Sequence, residues 1–420
     1  MKVSVIGLGY IGLPTATVLA SHKVEVVGVD VSKHVVDTVN QGKIHIVEPE
    51  LDVLVHNAVK NGYLRATIYP EESDIFMVAV PTPFKDNHEP DMSYIESAVK
   101  AIAPVLNKGN VVILESTSPV GSTEKITRWM QELRPELTFP VFGEDEVEFD
   151  IYVAHCPERV LPGRIIHELI KNDRIIGGMT IRCSEHAKIV YEIFVEAKCI
   201  VTDCRAAELS KLVENSFRDV NIAYANEISL ICDKLNINVW KLIELANRHP
   251  RVDIMRPGPG VGGHCIAVDP WFIVHSAPSE SNLIRTSRMV NDNKPKFIFK
   301  KIIDAIKLFE KPLSEINICC LGISYKPDID DLRESPSIEI IDELVAIKPK
   351  NIYIVEPNIS LLPNSFDADL VKLKPVEEAL RLSDIVIILV LHKEFLLIDR
   401  GLLRGKKVID TIGLMSNECS

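Results

Sequence analysis

The strongest constraint on the fold is a glycine-rich turn close to the first residue of the chain. Gly7, Gly9 and Gly12 have the spacing GxGxxG, after the strand-like run Val3–Ile6 and before a helical pattern. In this context the first glycine permits a tight turn, the second lets backbone amides approach a pyrophosphate, and the third lets helix and strand pack closely. The pattern predicts a β-α-β unit that binds a dinucleotide at the start of its helix.

The residue that ends the next strand candidate indicates which dinucleotide is bound. Asp30 follows the run Val24–Val29, close to the offset of about 20 residues at which a carboxylate accepts the hydroxyls of the adenosine ribose. This pairing favours NAD over NADP. Two later loops, 81–83 and 115–123, combine hydroxyl groups with prolines and are further candidates for the cofactor site, although ordinary capped turns have the same composition.

Strand-like runs alternate with helical patterns in the first and last thirds of the chain, which predicts an α/β fold with parallel sheets. A helical pattern without Pro or Gly runs from Asp203 to Leu235 between these regions. We therefore predict two Rossmann-like doubly wound domains joined by a long central helix and a helical region, with boundaries at 1–200, 201–305 and 306–420. The strand candidates are Val3–Ile6, Val24–Val29, Ile75–Val80, Val111–Leu114, Ile316–Leu321, Ile352–Val355, Ile385–Val390 and Lys407–Asp410.

Charge and composition exclude several classes of function. The net charge of −12 over 420 residues argues against a general nucleic-acid or anionic-membrane surface. The longest apolar run, Ile385–Leu391, is far shorter than the roughly 20 residues of a membrane span. The first strand-like run begins too early for a secretory signal to precede it, so we expect a cytoplasmic protein. Nine scattered cysteines without a CxxC pair predict reduced thiols and no metal site.

One cysteine has unusual surroundings. The segment Pro257–Pro270 places four glycines before Cys265, with His264 next to it and Asp269 four residues later. A free thiol has a pKa of about 8.5, so nucleophilic attack at neutral pH needs a nearby positive charge. Lys211, His264 or a nicotinamide ring are candidates to supply that charge. The alternative is a structural loop with a buried cysteine.

The long helical pattern carries polar side chains on one face. Lys211, Asn215 and Arg218 fall at positions i, i+4 and i+7 of this helix. A lysine desolvated there can accept a proton or stabilise an oxyanion, whereas the alternative is a solvated polar stripe. Two basic clusters, Arg248–Arg251 and Tyr325–Pro327, are candidate sites for an anion, with ordinary surface charge as the alternative.

Together these motifs resemble the UDP-glucose/GDP-mannose dehydrogenase family over nearly the whole chain. The family implies an N-terminal NAD-binding domain, a central helix that forms a homodimer, and a C-terminal domain that binds UDP. The resemblance is carried by residues 7–14, Glu115-Ser116-Thr117, residues 156–163, Lys211 with Asn215, and the Gly-Gly-His-Cys stretch that ends in Asp269-Pro270.

The resemblance also implies a covalent route from an alcohol to a carboxylate that uses two molecules of NAD. A water near Asp269 and Lys211 takes the proton of the C6 hydroxyl of a UDP-sugar, and Cys265 attacks the resulting aldehyde. Lys211 and Asn215 stabilise the thiohemiacetal alkoxide before a second oxidation gives a thioester. The residues that match the family's catalytic positions are Cys265, Lys211, Asp269, Asn215, Glu158 and Thr117, of which the last two orient the hydrolytic water.

The binding residues follow from the same resemblance. Those expected to contact NAD are Gly7, Gly9, Tyr10, Ile11, Gly12, Asp30, Thr82, Thr123 and Arg333. Those expected to hold the UDP-sugar are Arg159, Val160, Lys211, Asn215, Arg218, His249, Arg251, Gly262, Tyr325 and Lys326.

Departures from the family pattern bear on the substrate. UDP-glucose dehydrogenases usually carry Ser before the catalytic cysteine, Lys before the aspartate and a second Glu where this chain has His264, Val268 and Pro162. These differences point away from glucose. The stretch Gly-Gly-His-Cys-Ile resembles the N-acetylhexosamine branch of the family, and Pro83-Phe84-Lys85 together with residues 159–163 resembles the member that oxidises UDP-N-acetyl-D-mannosamine rather than the glucosamine sugar. The tail from Thr411 lacks the terminal arginine that some relatives present to the substrate.

Three alternatives remain open from the sequence. The C2 epimer, UDP-N-acetylglucosamine, differs too little for one sequence to exclude it. A two-electron hydroxyacid dehydrogenase would share the layout and the helical lysine but would lack the thiol. A catalytically inactive NAD-binding sensor would keep the fold, and the intact Cys265, Lys211 and Asp269 argue against it.

Overall fold

The computed structural model describes residues 1–85, 88–161, 163–263 and 265–416. They form two compact units, Met1–Glu214 with Trp271–Pro278, and Asn215–Pro270 with Ser279–Ser420. Pro162 and His264, two of the positions that favour the N-acetylhexosamine branch, lie outside the described residues, as do residues 417–420 of the tail.

The first unit is built on a mixed sheet. Its strands are β1 (Lys2–Ile6), β2 (Glu25–Val29), β3 (Leu64–Thr67), β4 (Ile75–Val78), β5 (Val111–Leu114), β6 (Tyr152–His155), β7 (Arg174–Gly178) and β8 (Cys199–Asp203). Its helices are α1 (Gly12–Ser21), α2 (Lys33–Asn40), α3 (Leu51–Lys60), α4 (Ser93–Ile102), the 3-10 turn Ala103–Val105, α5 (Ser122–Leu133), α6 (Ile165–Lys171) and α7 (Ile181–Tyr191). Within the described residues, the strand order is β3-β2-β1-β4-β5-β6-β7-β8.

Strands β1, β2, β4 and β5 are nearly continuous apolar runs that are buried on both faces. Along β1, Val5 belongs to one hydrophobic core and Ile6 to another, so the two cores lie on opposite faces of the sheet. Helices that cover both faces of a parallel sheet produce this pattern. Ile6 pairs with Val29 and with Val78, which brings the carboxyl ends of these strands to one edge. Ligands of open α/β sheets bind at such an edge.

One strand pair departs from the parallel arrangement that the strand-helix alternation predicts. Strand β7 runs antiparallel to β6 and parallel to β8. The connection between β6 and β7, residues 156–173, therefore begins and ends at the edge where the first six strands finish. Residues 156–161, which the family resemblance places at the substrate, lie at this ligand edge as a result.

The second unit has a parallel sheet with strands β9 (Asn317–Leu321), β10 (Asn351–Val355), β11 (Val371–Leu373), β12 (Ile385–Ile388) and β13 (Lys407–Asp410). Among described residues their order is β11-β10-β9-β12-β13. The remaining helices of the chain are α8 (Cys204–Leu235), α9 (Val239–Ala246), α10 (Asp269–Ser276), α11 (Asn282–Ile306), α12 (Pro336–Ile347) and α13 (Val376–Leu382), with 3-10 turns at Leu313–Glu315, Lys393–Leu397 and Arg400–Leu403.

Helix α8 confirms the long helix that the sequence predicts, with 32 residues. Its residues up to Glu214 belong to the first unit and those from Asn215 to the second. The fold class is thus the predicted one, with two Rossmann-like doubly wound sheets and a long helix between them in sequence. The domain boundaries at residues 200 and 305 stay predictions. No described helix is both long and apolar enough to cross a membrane.

Candidate active site

Close packing explains two of the three glycines in the turn after β1. A Cβ atom on Gly7, where φ is +93°, would lie 2.7 Å from the Ala79 carbonyl oxygen, and one on Gly12 would lie 1.8 Å from the Gly7 oxygen. Side chains do not fit at these positions. Around Gly9, in contrast, no described atom lies within 4 Å of the Cβ position. The second glycine therefore faces open space, as the approach of a pyrophosphate requires.

Asp30 is hydrogen-bonded to this glycine turn. Its carboxylate accepts hydrogen bonds from the Leu8 amide at 3.0 Å and from the Ser32 amide at 2.8 Å. The hydroxyl groups of Thr82 and Ser118 are buried and have no hydrogen-bond partner among the described residues. Since buried polar atoms are normally hydrogen-bonded, these hydroxyls fit the polar atoms of a bound dinucleotide. The residues around the glycine turn are therefore suited to hold NAD.

The other predicted cofactor contacts have different surroundings. Residues 10–11, immediately before α1, are exposed or half-buried. Thr123 is buried, and Glu208 accepts hydrogen bonds of 2.6 Å from both its amide and its hydroxyl, which does not favour a contact of Thr123 with NAD. Arg333 belongs to the second unit and forms an exposed ion pair of 2.6 Å with Asp331.

Lys211 lies two turns into α8 and is half-buried. Its amine donates a hydrogen bond of 2.5 Å to the hydroxyl of Thr117, in the loop after β5. His155, which ends β6, is buried nearby, and burial together with the charge of Lys211 lowers its pKa to about 3. His155 is therefore neutral at physiological pH and adds no competing positive charge beside the lysine.

A buried cluster of ionisable groups surrounds Glu158. Its ion pair with Arg174 leaves the two side chains only 2% and 3% exposed, and its Oε1 accepts a hydrogen bond of 2.7 Å from the Arg159 amide. Glu115, directly after β5, accepts a hydrogen bond of 2.8 Å from the Tyr191 hydroxyl. Burial and repulsion from Glu158 raise the pKa of Glu115 to about 7, although Arg174 and Tyr191 oppose the rise. Glu115 therefore holds a proton below about neutral pH.

The raised pKa of Glu115 predicts a pH-dependent stability. Because its folded-state pKa lies above its unfolded value of 4.5, the stabilisation is complete below pH 4.5 and is lost as the pH rises through about 7. The full loss amounts to about 3 kcal/mol. Glu115→Gln should remove it, so the melting temperature of the variant relative to wild type should rise between pH 5 and pH 8. Glu144→Gln, at an exposed glutamate of the same unit, should show no such trend, and an unchanged difference for Glu115→Gln would contradict the prediction.

Two further residues of the 156–161 segment are predicted to bind substrate. The guanidinium group of Arg159 donates hydrogen bonds to the Glu214 carboxylate, at 2.7 Å, and to the Asp173 carbonyl oxygen. Val160 is half-buried and packs against a core of the first unit. Both residues are therefore held in place by the protein at the ligand edge.

In the second unit, Cys265 is exposed and begins the turn that leads into α10. Its carbonyl oxygen accepts a hydrogen bond of 2.8 Å from the amide of Asp269, the first residue of that helix. The Asp269 side chain is buried and accepts a hydrogen bond of 2.5 Å from the side-chain amide of Asn215. Three predicted catalytic residues are thus joined by hydrogen bonds, and the thiol is not the buried structural cysteine of the alternative interpretation.

The glycines before the cysteine make room for Tyr325. A Cβ atom on Gly262 would lie 2.3 Å from the Glu334 carbonyl oxygen, and one on Gly263, where φ is +79°, would lie 2.8 Å from the Tyr325 ring. Burial raises the pKa of Tyr325. The glycines were predicted to allow the approach of a ligand, and here they allow the approach of a residue that is itself predicted to bind UDP.

A buried network supports the loop that carries exposed Lys326. The Glu356 carboxylate accepts hydrogen bonds from the amides of residues 323–324 and lies 3.0 Å from Nε2 of His392. The Asp328 amide donates to Nδ1 of His392 at 2.9 Å, so Nε2 carries the proton and donates to Glu356. Burial acts to raise the pKa of Glu356, but the hydrogen bonds from His392 and the two amides outweigh it and lower this pKa.

Three predicted substrate contacts are not brought to the cysteine loop. Arg218 is exposed on α8, and His249 and Arg251 are exposed in the turn after α9. In the part of the chain that the structure describes, no hydrogen bond or ion pair links these side chains to residues 257–270. Their role in binding the UDP-sugar stays a prediction.

Comparison with known families gives the same assignment for all parts of the chain. Three models of one family match: its NAD binding domain over residues 1–195, its central domain over 205–293 and its UDP binding domain over 319–417. The chain belongs to the UDP-glucose/GDP-mannose dehydrogenase family. It is an oxidoreductase that uses NAD, as the glycine turn and Asp30 predict, and its UDP binding domain indicates a UDP-sugar substrate.

Individual members of the family are similar over almost their full length. The chain is 59% identical over 398 residues to the UDP-N-acetyl-D-mannosamine dehydrogenase of Campylobacter jejuni, covering 94% of this chain and 96% of that protein. It is 58% identical over 414 residues to the NDP-N-acetyl-D-galactosaminuronic acid dehydrogenase of Ralstonia nicotianae, covering 99% and 96%. The solved UDP-D-ManNAc dehydrogenase of Pyrococcus horikoshii has a TM-score of 0.87 at 36% identity and covers 99% and 96%.

Sequence reasoning missed several groups in this dehydrogenase. Arg174, Tyr191 and Glu208 belong to none of the motifs, and they become visible only when the chain is folded. For Arg174 a signal is present, because it stands directly before the run Ile175–Gly178, and a charged residue that begins a buried strand needs a partner. Nothing comparable marks Glu208, which lies in a polar stretch of the long helix.

Proposed function

We propose that this dehydrogenase oxidises the C6 hydroxyl of UDP-N-acetyl-D-mannosamine to a carboxylate, with two molecules of NAD and with Cys265 as the nucleophile. The observation that carries the proposal is the exposed thiol at the end of a packed glycine loop, joined through its own carbonyl oxygen to Asp269 and through Asp269 to Asn215. The similarity to the Campylobacter jejuni enzyme supports the choice of sugar.

The predicted cofactor residues bind different parts of NAD. When bound, NAD accepts a hydride from C6 in each of the two oxidations. The turn at Gly7–Gly12 receives the pyrophosphate at the start of α1, and Asp30 accepts the ribose hydroxyls. The buried hydroxyls of Thr82 and Ser118 supply further polar contacts.

In the first oxidation the chain removes the proton of the C6 hydroxyl. Lys211, held on Thr117, donates a hydrogen bond to the sugar oxygen, and a water takes the proton, a step that the resemblance to the family assigns to Lys211 and Asp269. Asn215 donates a hydrogen bond to the Asp269 carboxylate and keeps it in one orientation. The product of this step is an aldehyde at C6.

In the second oxidation the Cys265 thiolate adds to C6 of the aldehyde and forms a thiohemiacetal. Lys211 and Asn215 donate hydrogen bonds to its oxyanion, which stabilises the charge that develops there. Loss of the second hydride leaves a thioester on Cys265. Water held by Glu158 and Thr117 then cleaves the C–S bond, which releases the carboxylate and returns the thiol.

We also propose a homodimer that forms through α8 and an enzyme that works in the cytoplasm. Phe217, Tyr224 and Ile231 recur every seven residues on this helix and are 68%, 54% and 45% exposed. An exposed apolar stripe at heptad spacing suits a second helix of the same kind. The oligomeric state in solution tests this part of the proposal.

The substrate is tested by comparing three nucleotide sugars with purified enzyme and excess NAD. UDP-N-acetyl-D-galactosamine is the second candidate, because the Ralstonia nicotianae relative is 58% identical. We expect the highest kcat/KM with UDP-N-acetyl-D-mannosamine, two NADH per sugar and a product mass that fits the uronate. A higher kcat/KM for the galactosamine or glucosamine sugar would assign that substrate instead, and one NADH per sugar would contradict the covalent route.

A further inference from the structure

Glu208, a buried glutamate of α8, binds the start of helix α5. The residue is 1% exposed. Its Oε2 accepts a hydrogen bond of 2.6 Å from the Gly121 amide, and its Oε1 accepts hydrogen bonds of 2.6 Å from the amide and the hydroxyl of Thr123. All three donors lie at the first turn of α5, so a single carboxylate satisfies the beginning of this helix.

The chemistry of a helix start explains why a carboxylate is held there. The first amides of a helix lack partners within the helix and carry partial positive charge. Gly121 is the N-cap of α5 and has no side chain that could accept from them. Burial raises the pKa of Glu208 to about 6, although its hydrogen bonds with Thr123 and Gly121 oppose the rise. The carboxylate is therefore mostly ionised at neutral pH and replaces the missing cap.

Glu208 and Lys211 belong to the same face of α8. They are three residues apart, a spacing at which helical side chains are neighbours. Lys211 contacts Thr117 near the beginning of the loop between β5 and α5, whereas Glu208 contacts Gly121 and Thr123 at its end. One turn of α8 thus contacts the loop between β5 and α5 near both of its ends.

The interface between α5 and α8 contains a second carboxylate that serves as a control. Glu124 in the first turn of α5 forms an ion pair of 2.6 Å with Arg205 of α8, and these side chains are 24% and 51% exposed. Solvent-exposed ion pairs contribute little to stability. Glu124 therefore joins the same two helices with the same chemistry, but without the buried amides.

We infer that Glu208 is a positioning residue for Lys211: by binding the start of α5, it sets the position of α8 along the loop so that the lysine amine meets the Thr117 hydroxyl. The inference rests on the proposed function, in which Lys211 acts in both oxidations. Glu208 is not itself a catalytic residue, because its carboxylate is occupied by the backbone and hydroxyl donors of residues 121–123.

Glu208→Gln tests this role with little change in shape. The glutamine amide turns an N–H donor toward either Gly121 or Thr123, where another donor already points. A displacement of about 1 Å at a catalytic group reduces rates by about 100-fold. We therefore expect kcat to fall 10- to 100-fold, with the KM for UDP-sugar and the Kd for NAD changed by less than about threefold. Glu124→Gln should keep wild-type values within about twofold.

A double-mutant cycle separates positioning from general structural support. In a Lys211→Met background, Glu208→Gln should cause no further loss of the single-turnover rate, because the group that it positions is already absent. A loss that multiplies with that of Lys211→Met would overturn the inference. So would an unchanged kcat in Glu208→Gln, or a loss that appears only in the Kd for NAD.

A second variant and an assay of the wild-type enzyme cover the cases in which Glu208→Gln alone gives no answer. If the glutamine variant does not fold, Glu208→Asp, which keeps the charge and shortens the side chain by one methylene, replaces it in the same cycle with the same expected outcome. Assays of the wild-type enzyme alongside the variants distinguish failure of the Glu208 inference from failure of the proposed function. Four-electron turnover by wild type with no coupling between Glu208 and Lys211 refutes the inference alone, whereas no turnover of any nucleotide sugar by wild type refutes the proposed function, and the inference with it.

Discussion

Cys265→Ser should stop the reaction at the aldehyde. Serine is close in size but is a far weaker nucleophile at neutral pH, so we expect four-electron turnover to fall by roughly a thousandfold or more. The KM for UDP-sugar should change little, because serine replaces the exposed cysteine with nearly the same size. Quenched-flow analysis should show one NADH per sugar and an aldehyde that a carbonyl reagent traps.

The matched control for this variant is Cys199→Ser. Cys199 is a half-buried thiol in β8, and its replacement should leave turnover near the wild-type value. Carboxylate formation at an undiminished rate by Cys265→Ser would exclude a thioester. Losses of binding and of turnover by the same factor would instead make Cys265 a structural residue.

Lys211→Met should slow both oxidations. The variant keeps the length of the side chain and removes the donor that contacts Thr117, so neither the C6 alkoxide nor the thiohemiacetal oxyanion is stabilised. Contributions of this kind amount to about 100- to 10,000-fold in rate. Single-turnover experiments that start from the alcohol and, separately, from the C6 aldehyde measure the two steps.

Lys234→Met provides the comparison on the same helix. Lys234 is exposed in the last turn of α8, and its loss should leave both steps unchanged. A Lys211→Met enzyme that is slow only from the alcohol would restrict the lysine to proton removal. An increase in KM without a change in kcat would assign Lys211 to substrate binding alone.

The sequence predicts best the strands that are buried on both faces. In the centre of each sheet both faces are covered, and strands such as β5 and β12 are continuous apolar runs. At the edge, β3 alternates buried and exposed residues over four positions and was missed. Strands β6 and β7 were missed for another reason: a buried polar residue ends β6 (His155) and another begins β7 (Arg174), which shortens the apolar run of each strand. These buried polar residues thus hide the two strands from sequence-based prediction.

The candidate site also combines residues that local sequence predicts with residues that only the fold brings together. Motifs that depend on neighbours in sequence, such as the glycine turn and the loop before Cys265, are visible from the residues alone, since local backbone geometry requires them. The contacts between Lys211 and Thr117, and between Asn215 and Asp269, join residues 94 and 54 positions apart. The resemblance to a family placed those residues in one site, but no spacing rule does so. Glu115 was noted as part of a loop and of a family motif but not as a titratable group, because its raised pKa arises from burial beside Glu158.

The reversal of β7 determines where the amine of Lys211 lies relative to the sheet. Because β7 and β8 run opposite to the first six strands, β8 enters α8 at the level of Ala154, one residue before the end of β6. Ala207 lies close against Gly177, whose missing side chain leaves room for it. Seven residues of helix rise about 10 Å, and over this distance α8 reaches Thr117 in the loop after β5, where Lys211 donates its hydrogen bond. A helix that followed an unreversed strand would run back from the edge where the first six strands end, and it would carry a lysine two turns along it away from the loop of Thr117.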